Sequence, residues 1–136
     1  MAFPLPSTSV ARILIIDDDM SVTDTFSRTL RLEGYEVWAA MSAAEGLGLA
    51  RRHRPHAIIL DLRMPLGSVL RLLRTLRELD GLAHTPAAIV TSDYHLDEPR
   101  SSEIQALGAE LRFKPVWLDE LVVLARELLQ QIPVRL

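Results

Sequence analysis

Five polar residues of this chain follow apolar segments, each at the point where the segment ends. Asp17 and Asp18 follow the first such segment, and Asp61 follows another. Thr91 and Lys114 follow two more. A carboxylate can act as a nucleophile, and a nearby cation and hydroxyl can stabilise charge that develops on a transferred group. This combination predicts a pocket that accepts a phosphoryl group on a carboxylate.

The acidic members of this group also predict a metal site. The carboxylates of Asp17, Asp18 and Asp61 would repel one another if they met, and a bound cation would relieve that repulsion. Magnesium prefers oxygen ligands and is usually held by one or two carboxylates together with phosphate oxygens. We therefore expect Mg²⁺ to bind at these three residues.

Neighbouring residues that could also bind metal have simpler explanations. Asp19 is expected to begin or cap the first helix rather than contact a metal ion. Metal-ligand spacing is absent among the four histidines, which stand at positions 53, 56, 84 and 95.

Composition limits the class of protein. The chain has 136 residues and 49% hydrophobic residues, which suits one domain with an apolar core. It contains no cysteine, which excludes disulfides and thiolate metal sites, and its net charge of −3 gives no electrostatic reason to expect nucleic-acid binding. No apolar stretch reaches the length of a membrane span. Residues 1–9 lack the basic start and apolar core of a secretory signal, so we expect a flexible leader at 1–9, a single domain at 10–136, and a cytoplasmic protein.

Strand and helix patterns alternate five times along the domain. Apolar, β-branched runs predict strands at 12–17, 35–40, 57–61, 87–90 and 110–113. Apolar spacing predicts helices at 20–33, from 43 to Pro55, from 69 to about 79, from about 100 to before 108, and at 118–131. Gly34 suits a left-handed cap, and Ser42 and Ser68 suit N-caps.

The third predicted helix carries a run of charges on its outer face. These charges, which a solvated surface explains better than a nucleic-acid site, are Arg71, Arg74, Arg77 and Glu78.

This alternation predicts an α/β fold with a parallel sheet covered by helices on both faces. Ligands of such sheets bind outside the carboxyl ends of the strands. The polar residues at the strand ends should therefore meet at one edge, with Asp61 on the middle strand between the acidic pair and the Thr91 and Lys114 side.

These motifs, in this order and spacing, resemble the receiver domain of bacterial two-component response regulators. The resemblance covers residues 12–131 and includes Met64-Pro65 after Asp61 and Pro115 after Lys114. It implies a flavodoxin-like (βα)5 doubly wound sheet with strand order 2-1-3-4-5. It also implies a phosphoacceptor at Asp61, and Mg²⁺ held by Asp61, the acidic pair and the backbone carbonyl of Arg63.

The resemblance further implies partners and an output. The phosphoryl donor would be a sensor histidine kinase or a histidine phosphotransfer protein. Phosphorylation would change the face formed by the fourth helix, fifth strand and fifth helix, with homodimerisation through that face as one outcome. Such a domain is not an enzyme in the usual sense, since it catalyses only its own phosphorylation and dephosphorylation.

Two positions depart from the family pattern. The aromatic residue that the family usually has three positions before its strand-five lysine is Leu111 here. The family's common Asp-Gly after Met-Pro is Ser68-Val69, which is expected to alter the loop that enters the third helix. Phosphorylation chemistry is therefore expected to be retained, with a weaker conformational switch.

Two other functions stay open on the sequence. The first is a pseudo-receiver, an interaction module that needs no phosphate, for which Leu111 argues slightly. The second is a haloacid-dehalogenase-like phosphatase, in which Asp17 would be the nucleophile and Asp19 the general acid. The sequence leaves open the cognate kinase, the pathway, the oligomeric state and whether an effector domain follows in a longer protein.

Overall fold

The computed structural model describes residues 10–61, 66–91, 98–114 and 116–131, with the side chains of these ranges apart from those at positions 61, 66, 98 and 100. Strands and helices alternate along the chain. The strands are β1 (Arg12–Asp17), β2 (Glu36–Ala40), β3 (Ala57–Asp61), β4 (Ala87–Thr91) and β5 (Ala109–Phe113). The helices are α1 (Met20–Leu32), α2 (Ala43–His53), α3 (Leu66–Glu78), α4 (Glu98–Ala106) and α5 (Leu118–Gln130).

All five strands pair in parallel in the order β2-β1-β3-β4-β5. β1, β3 and β4 occupy the interior of the sheet, and their described side chains are buried apart from that of Arg12. Such strands are apolar throughout because helices cover both faces of the sheet. The predicted α/β architecture and strand order are confirmed.

Two apolar clusters fill the space between the sheet and its helices. One joins alternate residues of the strands to α2, α3 and α4, with Leu73, Leu76 and Ile104 fully buried. The other joins the opposite residues of the strands to α1 and α5, with Leu30 and Leu121 fully buried. The side chains of one strand alternate between these clusters because successive residues of a strand point to opposite faces.

The predicted helix ends at Gly34 and Ser42 are confirmed. Gly34 follows the last turn of α1 with a φ of +95°, a backbone conformation that glycine adopts without steric cost. Its N–H donates to the Arg31 carbonyl, and the N–H of Tyr35 donates to the Leu30 carbonyl. This pair of bonds is a Schellman motif, and it places the start of β2 at Glu36, one residue later than predicted. The Ser42 hydroxyl accepts from the Glu45 N–H at 3.1 Å and caps α2.

The prediction that Ser68 caps α3 is wrong. α3 begins at Leu66, so Ser68 and Val69 lie inside its first turn, and Val69 is fully buried in the core. The Ser-Val pair is therefore part of the helix rather than of a loop that enters it. Ser68 cannot be the N-cap of this helix, because an N-cap residue precedes the first helical residue and has non-helical backbone angles.

Three smaller expectations also need correction. α4 begins at Glu98, two residues earlier than predicted, and β5 begins at Ala109, one residue earlier. Arg77 does not lie on a solvated face, because its half-buried guanidinium donates to backbone carbonyls of neighbouring connections. Residues 1–9, which include the predicted leader, lie outside the described part of the chain.

None of the helices in the described ranges has both the length and the apolar character that a membrane span requires.

Candidate functional site

The carboxyl ends of the four strands that carry the candidate residues lie side by side. Asp17 at the end of β1 is the register partner of Asp61 at the end of β3. Asp61 in turn pairs with Val90 of β4, which places Thr91 one residue beyond it. Neighbouring strands are about 4.8 Å apart, so the backbones of these residues lie within a short distance of one another. The sheet therefore brings the predicted residues to one edge, with Asp61 on the middle strand.

Three consecutive aspartates at the end of β1 have different environments. Asp17 is 1% exposed, and its Oδ1 accepts from the Asp19 N–H at 2.8 Å. Asp18 is exposed at the rim of the site. Asp19 Oδ1 accepts from the N–H groups of Ser21 at 2.8 Å and Val22 at 3.4 Å, which makes Asp19 the N-cap of α1. The prediction that Asp19 caps the helix is confirmed, and only Asp17 and Asp18 remain as candidate ligands from this segment.

Thr91 and Lys114 meet at the ends of the next two strands. Thr91 is 8% exposed, and its carbonyl accepts from the Lys114 N–H at 2.8 Å. Lys114 is half-buried. Thr91 and Lys114 thus stand at adjacent strand ends on one side of β3. In the sheet the Asp61 backbone thus lies between the end of β1, where Asp17 and Asp18 stand, and the ends of β4 and β5, where Thr91 and Lys114 stand.

Part of the predicted site lies outside the described residues. The backbone of Asp61 belongs to β3, but its side chain and all of Arg63 fall beyond the described part. Among the side chains that are described, no group of three His, Asp or Glu residues is placed to hold a metal ion. The three-carboxylate metal site and the roles of Asp61 and Arg63 therefore stay predictions.

The acidic residues that are described fit a hard divalent cation in their chemistry. Asp17 is a nearly inaccessible carboxylate, and a charge taken out of water is stabilised by an opposite charge. Asp18 adds a second oxygen donor from the adjacent position, open to solvent. Carboxylate oxygens and retained water suit magnesium better than softer metals.

The described histidines lie away from this edge. His56, at the amino end of β3, accepts a 2.9 Å hydrogen bond at Nδ1 from the Arg12 N–H. Burial lowers the pKa of His56 below its usual 6.5, and the charge of Arg12 lowers it further. His53 stacks on Trp38 with ring centroids 4.2 Å apart. Position 95 lies outside the described residues, so the prediction that His95 is no metal ligand is untested.

Phe113 of β5 is a neighbour of Thr91 that the sequence analysis did not single out. Leu111 is half-buried against the core that α3 and α4 cover, while Glu110 and Arg112 point towards α5. Phe113 lies two residues after Leu111, hence on the same face of the strand, and pairs in register with Thr91. The Phe113 side chain is 43% exposed. The period of two in strands could have identified it as an aromatic residue on the same face of β5 as Leu111.

Comparison with known sequences decides the family. Residues 13–126 match the sequence profile described as "Response regulator receiver domain", which is most of the chain. The chain is a response regulator receiver domain. The resemblance seen in the motifs is thereby confirmed, and the five-stranded parallel sheet is the expected fold of this receiver domain.

Two curated relatives of this receiver domain come from mycobacteria. It is 34% identical over 120 residues to the transcriptional regulatory protein PrrA of Mycobacterium tuberculosis, covering 88% of this chain and 50% of PrrA. It is 35% identical over 121 residues to the response regulator MprA of Mycobacterium sp. strain KMS, covering 88% of this chain and 51% of MprA. The chain thus spans about half the length of these relatives.

A solved structure supports the same fold. The chemotaxis protein CheY4 of Vibrio cholerae superposes with a TM-score of 0.78 at 27% identity, covering 88% of this chain and 99% of CheY4. The receiver domain and that protein therefore share their architecture over almost their whole common length.

Proposed function

We propose that this receiver domain accepts a phosphoryl group on Asp61, with Mg²⁺ bound by Asp17, Asp18, Asp61 and the Arg63 carbonyl. The observation that supports this most is the register of the sheet. It sets the Asp61 backbone on the central strand, level with Asp17 and one residue short of Thr91. In this scheme Asp61 is the acid that has carboxylates on one side and donors on the other.

The proposed reaction is a simple displacement. A carboxylate oxygen of Asp61 attacks the phosphorus of a phosphohistidine on a sensor histidine kinase or a phosphotransfer protein. The new O–P bond forms as the P–N bond breaks, and the leaving imidazole nitrogen keeps the electron pair and takes a proton. Phosphoryl transfer depends mainly on positioning and on neutralising charge, which Lys114 and Thr91 supply from the neighbouring strands.

Magnesium, when bound, would offset the charge of the phosphoryl oxygens and of the acidic residues. The residues of the chain supply the remaining functions. The buried Asp17 carboxylate is held by the Asp19 N–H, which fixes the orientation of one candidate ligand before any metal binds. Hydrolysis of the acyl phosphate at Asp61 would return the domain to its starting state, so the domain acts as a signalling phosphoacceptor in the cytoplasm and not as an enzyme on other substrates.

The proposed output surface comprises α4, β5 and α5. Apolar side chains are exposed along one part of it, with Phe113 at 43%, Trp117 at 65% and Val123 at 48%. Next to them Arg112 bonds Glu127 at 2.9 Å, which is an ion pair within the chain. An apolar surface with paired charges suits a protein partner or a second copy of the domain rather than nucleic acid.

Labelling with a small phosphoryl donor tests the proposal. The full chain is incubated with acetyl phosphate and Mg²⁺, and the added mass of one phosphoryl group is located by mass spectrometry. Asp61→Asn should abolish the label, while Asp24→Asn, which alters an exposed carboxylate on α1, should leave it unchanged. Undiminished labelling of the Asp61→Asn variant would contradict the assignment.

The same experiment separates the alternatives. A label on Asp17 would support the phosphatase hypothesis, although the cap that Asp19 provides for α1 explains that residue without a catalytic role. Wild-type protein that binds Mg²⁺ but gains no label from acetyl phosphate or a phosphohistidine donor would support the pseudo-receiver hypothesis.

A further inference from the structure

Arg77 joins three segments of the fold through its guanidinium group. It lies in the last turn of α3, and its Nη1 donates to the carbonyls of Leu82 at 3.0 Å and Thr85 at 2.6 Å, between α3 and β4. Its Nε donates to the Leu107 carbonyl at 2.7 Å, and its Nη2 donates to the Gly108 carbonyl at 3.2 Å. These last two residues form the turn from α4 to β5. A planar fork of five N–H donors is what allows one side chain to hold both connections.

The hydrogen bonds from Arg77 to Leu107 and Gly108 lie at the carboxyl end of α4. The last carbonyls of a helix have no partner within the helix, and a cation near them interacts favourably with the helix dipole. Gly108 has a φ of +75°, and a Cβ placed on it would lie 3.1 Å from Arg77 Nη2. The turn and the guanidinium are therefore fitted closely to each other.

The rest of α4 is held weakly. Among the side chains described in this helix, only Ile104 is buried, whereas α5 buries four residues. An ion pair between Arg74 of α3 and Glu103 adds a second polar link, at half-exposed side chains. Since the described side chains of α4 gain little from apolar burial, its attachment depends on polar contacts near its carboxyl end.

We infer that Arg77 is the positioning residue for α4. It fastens the carboxyl end of this helix, and loss of this attachment lets α4 open while the sheet stays intact. Segments with few buried apolar contacts open at lower free energy than the core, as separate cooperative units. The hydrogen bonds of Arg77 then determine how often α4 opens. This inference does not depend on phosphorylation. Its consequence for signalling does rest on the proposed function, since a change at Thr91 would pivot α4 about this fixed end.

Hydrogen exchange of the full chain tests the inference. Arg77→Gln removes the cation and most of the fork, and amide exchange in residues 102–110 should become at least about tenfold faster, because hydrogen bonds from a charged group are lost. Exchange in β1 and β3 should stay at the wild-type rate. Arg71→Gln, which alters an exposed side chain earlier on the same helix, should change neither region.

A second variant distinguishes positioning from general stability. Arg77→Lys retains a cation with three donors at the end of α4, and it should restore part of the protection in residues 102–110. A uniform rise of exchange across β1, β3 and α4 in Arg77→Gln would overturn the inference, as would unchanged exchange in α4. If Arg77→Gln fails to fold, Arg77→Lys is compared with wild type instead. Exchange in residues 102–110 should then be faster than in wild type, while exchange in β1 and β3 should be unchanged.

Beryllofluoride with Mg²⁺, a mimic of the phosphoryl group, separates this inference from the proposed function. Failure of the mimic to bind the wild-type protein would count against phosphorylation at Asp61 and would leave the exchange prediction for Arg77 standing. If the mimic binds both proteins, it should change exchange in α4 less in Arg77→Gln than in wild type, because the fixed end is lost. An equal change in both proteins would contradict the inference that α4 pivots about the end fixed by Arg77.

Discussion

The backbone N–H of Lys114 donates a 2.8 Å hydrogen bond to the Thr91 carbonyl oxygen, which joins the carboxyl ends of β5 and β4. Because both groups belong to the backbone, a change of either side chain leaves the two strand ends in place. Substitutions at these positions therefore test the chemistry of the side chains rather than the geometry of the sheet.

Lys114→Arg should lower the rate of Asp61 phosphorylation by acetyl phosphate while the domain stays folded. The ammonium is a compact charge, whereas the guanidinium is a planar fork that needs more room at a half-buried position. We expect a loss of roughly tenfold or more, corresponding to about 1.4 kcal/mol of lost transition-state stabilisation. Mass spectrometry measures the phosphorylation rate, and the midpoint of thermal unfolding checks that the variant is folded.

Lys114 also offers a direct probe, because it is the only lysine in the sequence. Reductive methylation with ¹³C-formaldehyde would label this side chain and the N-terminal amine alone. The Lys114 signal should shift on addition of Mg²⁺ and beryllofluoride, and the N-terminal signal should not. A Lys114 signal that stays fixed while the mimic binds would contradict its proposed role.

Asp18→Ala should weaken Mg²⁺ binding and stop phosphorylation without unfolding the domain. Loss of a group that merely supports a ligand costs about 10–100-fold in metal affinity, so loss of a direct ligand should cost at least as much. Without metal, the variant should have a modestly higher thermal midpoint because one repulsive carboxylate is gone, an effect limited by the exposure of Asp18.

Metal titration by calorimetry measures the affinity of Asp18→Ala. Asp24→Ala is the matched control, since Asp24 is an exposed carboxylate on α1. Equal affinity of wild type and Asp18→Ala would show that Asp18 is not a ligand.

Two glycines of α2 should respond to alanine in opposite directions. Gly48 is exposed, and no atom would lie within 4 Å of an added Cβ, so Gly48→Ala should stabilise the domain by roughly 0.5–1 kcal/mol through helix propensity. Gly46 is buried against Ile16 of β1, and an added Cβ would lie 2.9 Å from Ile16 Cγ1 and nearer still to Cδ1. Gly46→Ala should be destabilising because overpacking a core costs about 1–3 kcal/mol.

Urea denaturation measures the free energy of unfolding of both variants. Both change glycine to alanine in the same helix, so the difference between them reports the contact with Ile16 rather than helix propensity. A Gly46→Ala variant as stable as Gly48→Ala would mean that Ile16 can move aside without cost, and that the close approach of α2 to β1 is not a constraint.

His56 should make the stability of the domain depend on pH. Its pKa is lowered in the folded state by burial and by Arg12, so the folded protein favours the neutral imidazole. The unfolded chain takes up a proton near pH 6.5, and stability should therefore be complete above that pH and fall as the pH drops through it. Protonation of Nδ1 would also break the hydrogen bond from the Arg12 N–H.

His56→Asn retains an acceptor at the position of Nδ1 but does not titrate. The fall in the free energy of unfolding between pH 7 and pH 5 should be smaller in this variant than in wild type. His84→Asn is the control, since His84 is exposed. The assignment to His56 is wrong if the two variants show the same pH dependence.

The sequence by itself determined the alternation of strands and helices, the caps at Asp19 and Ser42 and the glycine turn at Gly34. These features depend on short-range rules, namely the period of the apolar residues and the hydrogen bonds of helix ends. The same rules predicted that Asp17, Asp61, Thr91 and Lys114 would meet, because the carboxyl ends of parallel strands share one edge. The receiver motifs then supplied the strand order.

Only the tertiary structure decided which polar residues serve the fold. Arg77 has the same spacing as exposed arginines on α3, and its contacts to Leu107 and Gly108 join residues about thirty positions apart, which no local pattern encodes. The start of α3 at Leu66, two residues before Ser68, was not encoded by the local capping pattern either. The pKa of His56 is lowered first by burial and then by the charge of Arg12, 44 residues away in the chain. Periodicity reports which face of an element is apolar, whereas long-range hydrogen bonds and desolvation depend on the elements that finally pack against it.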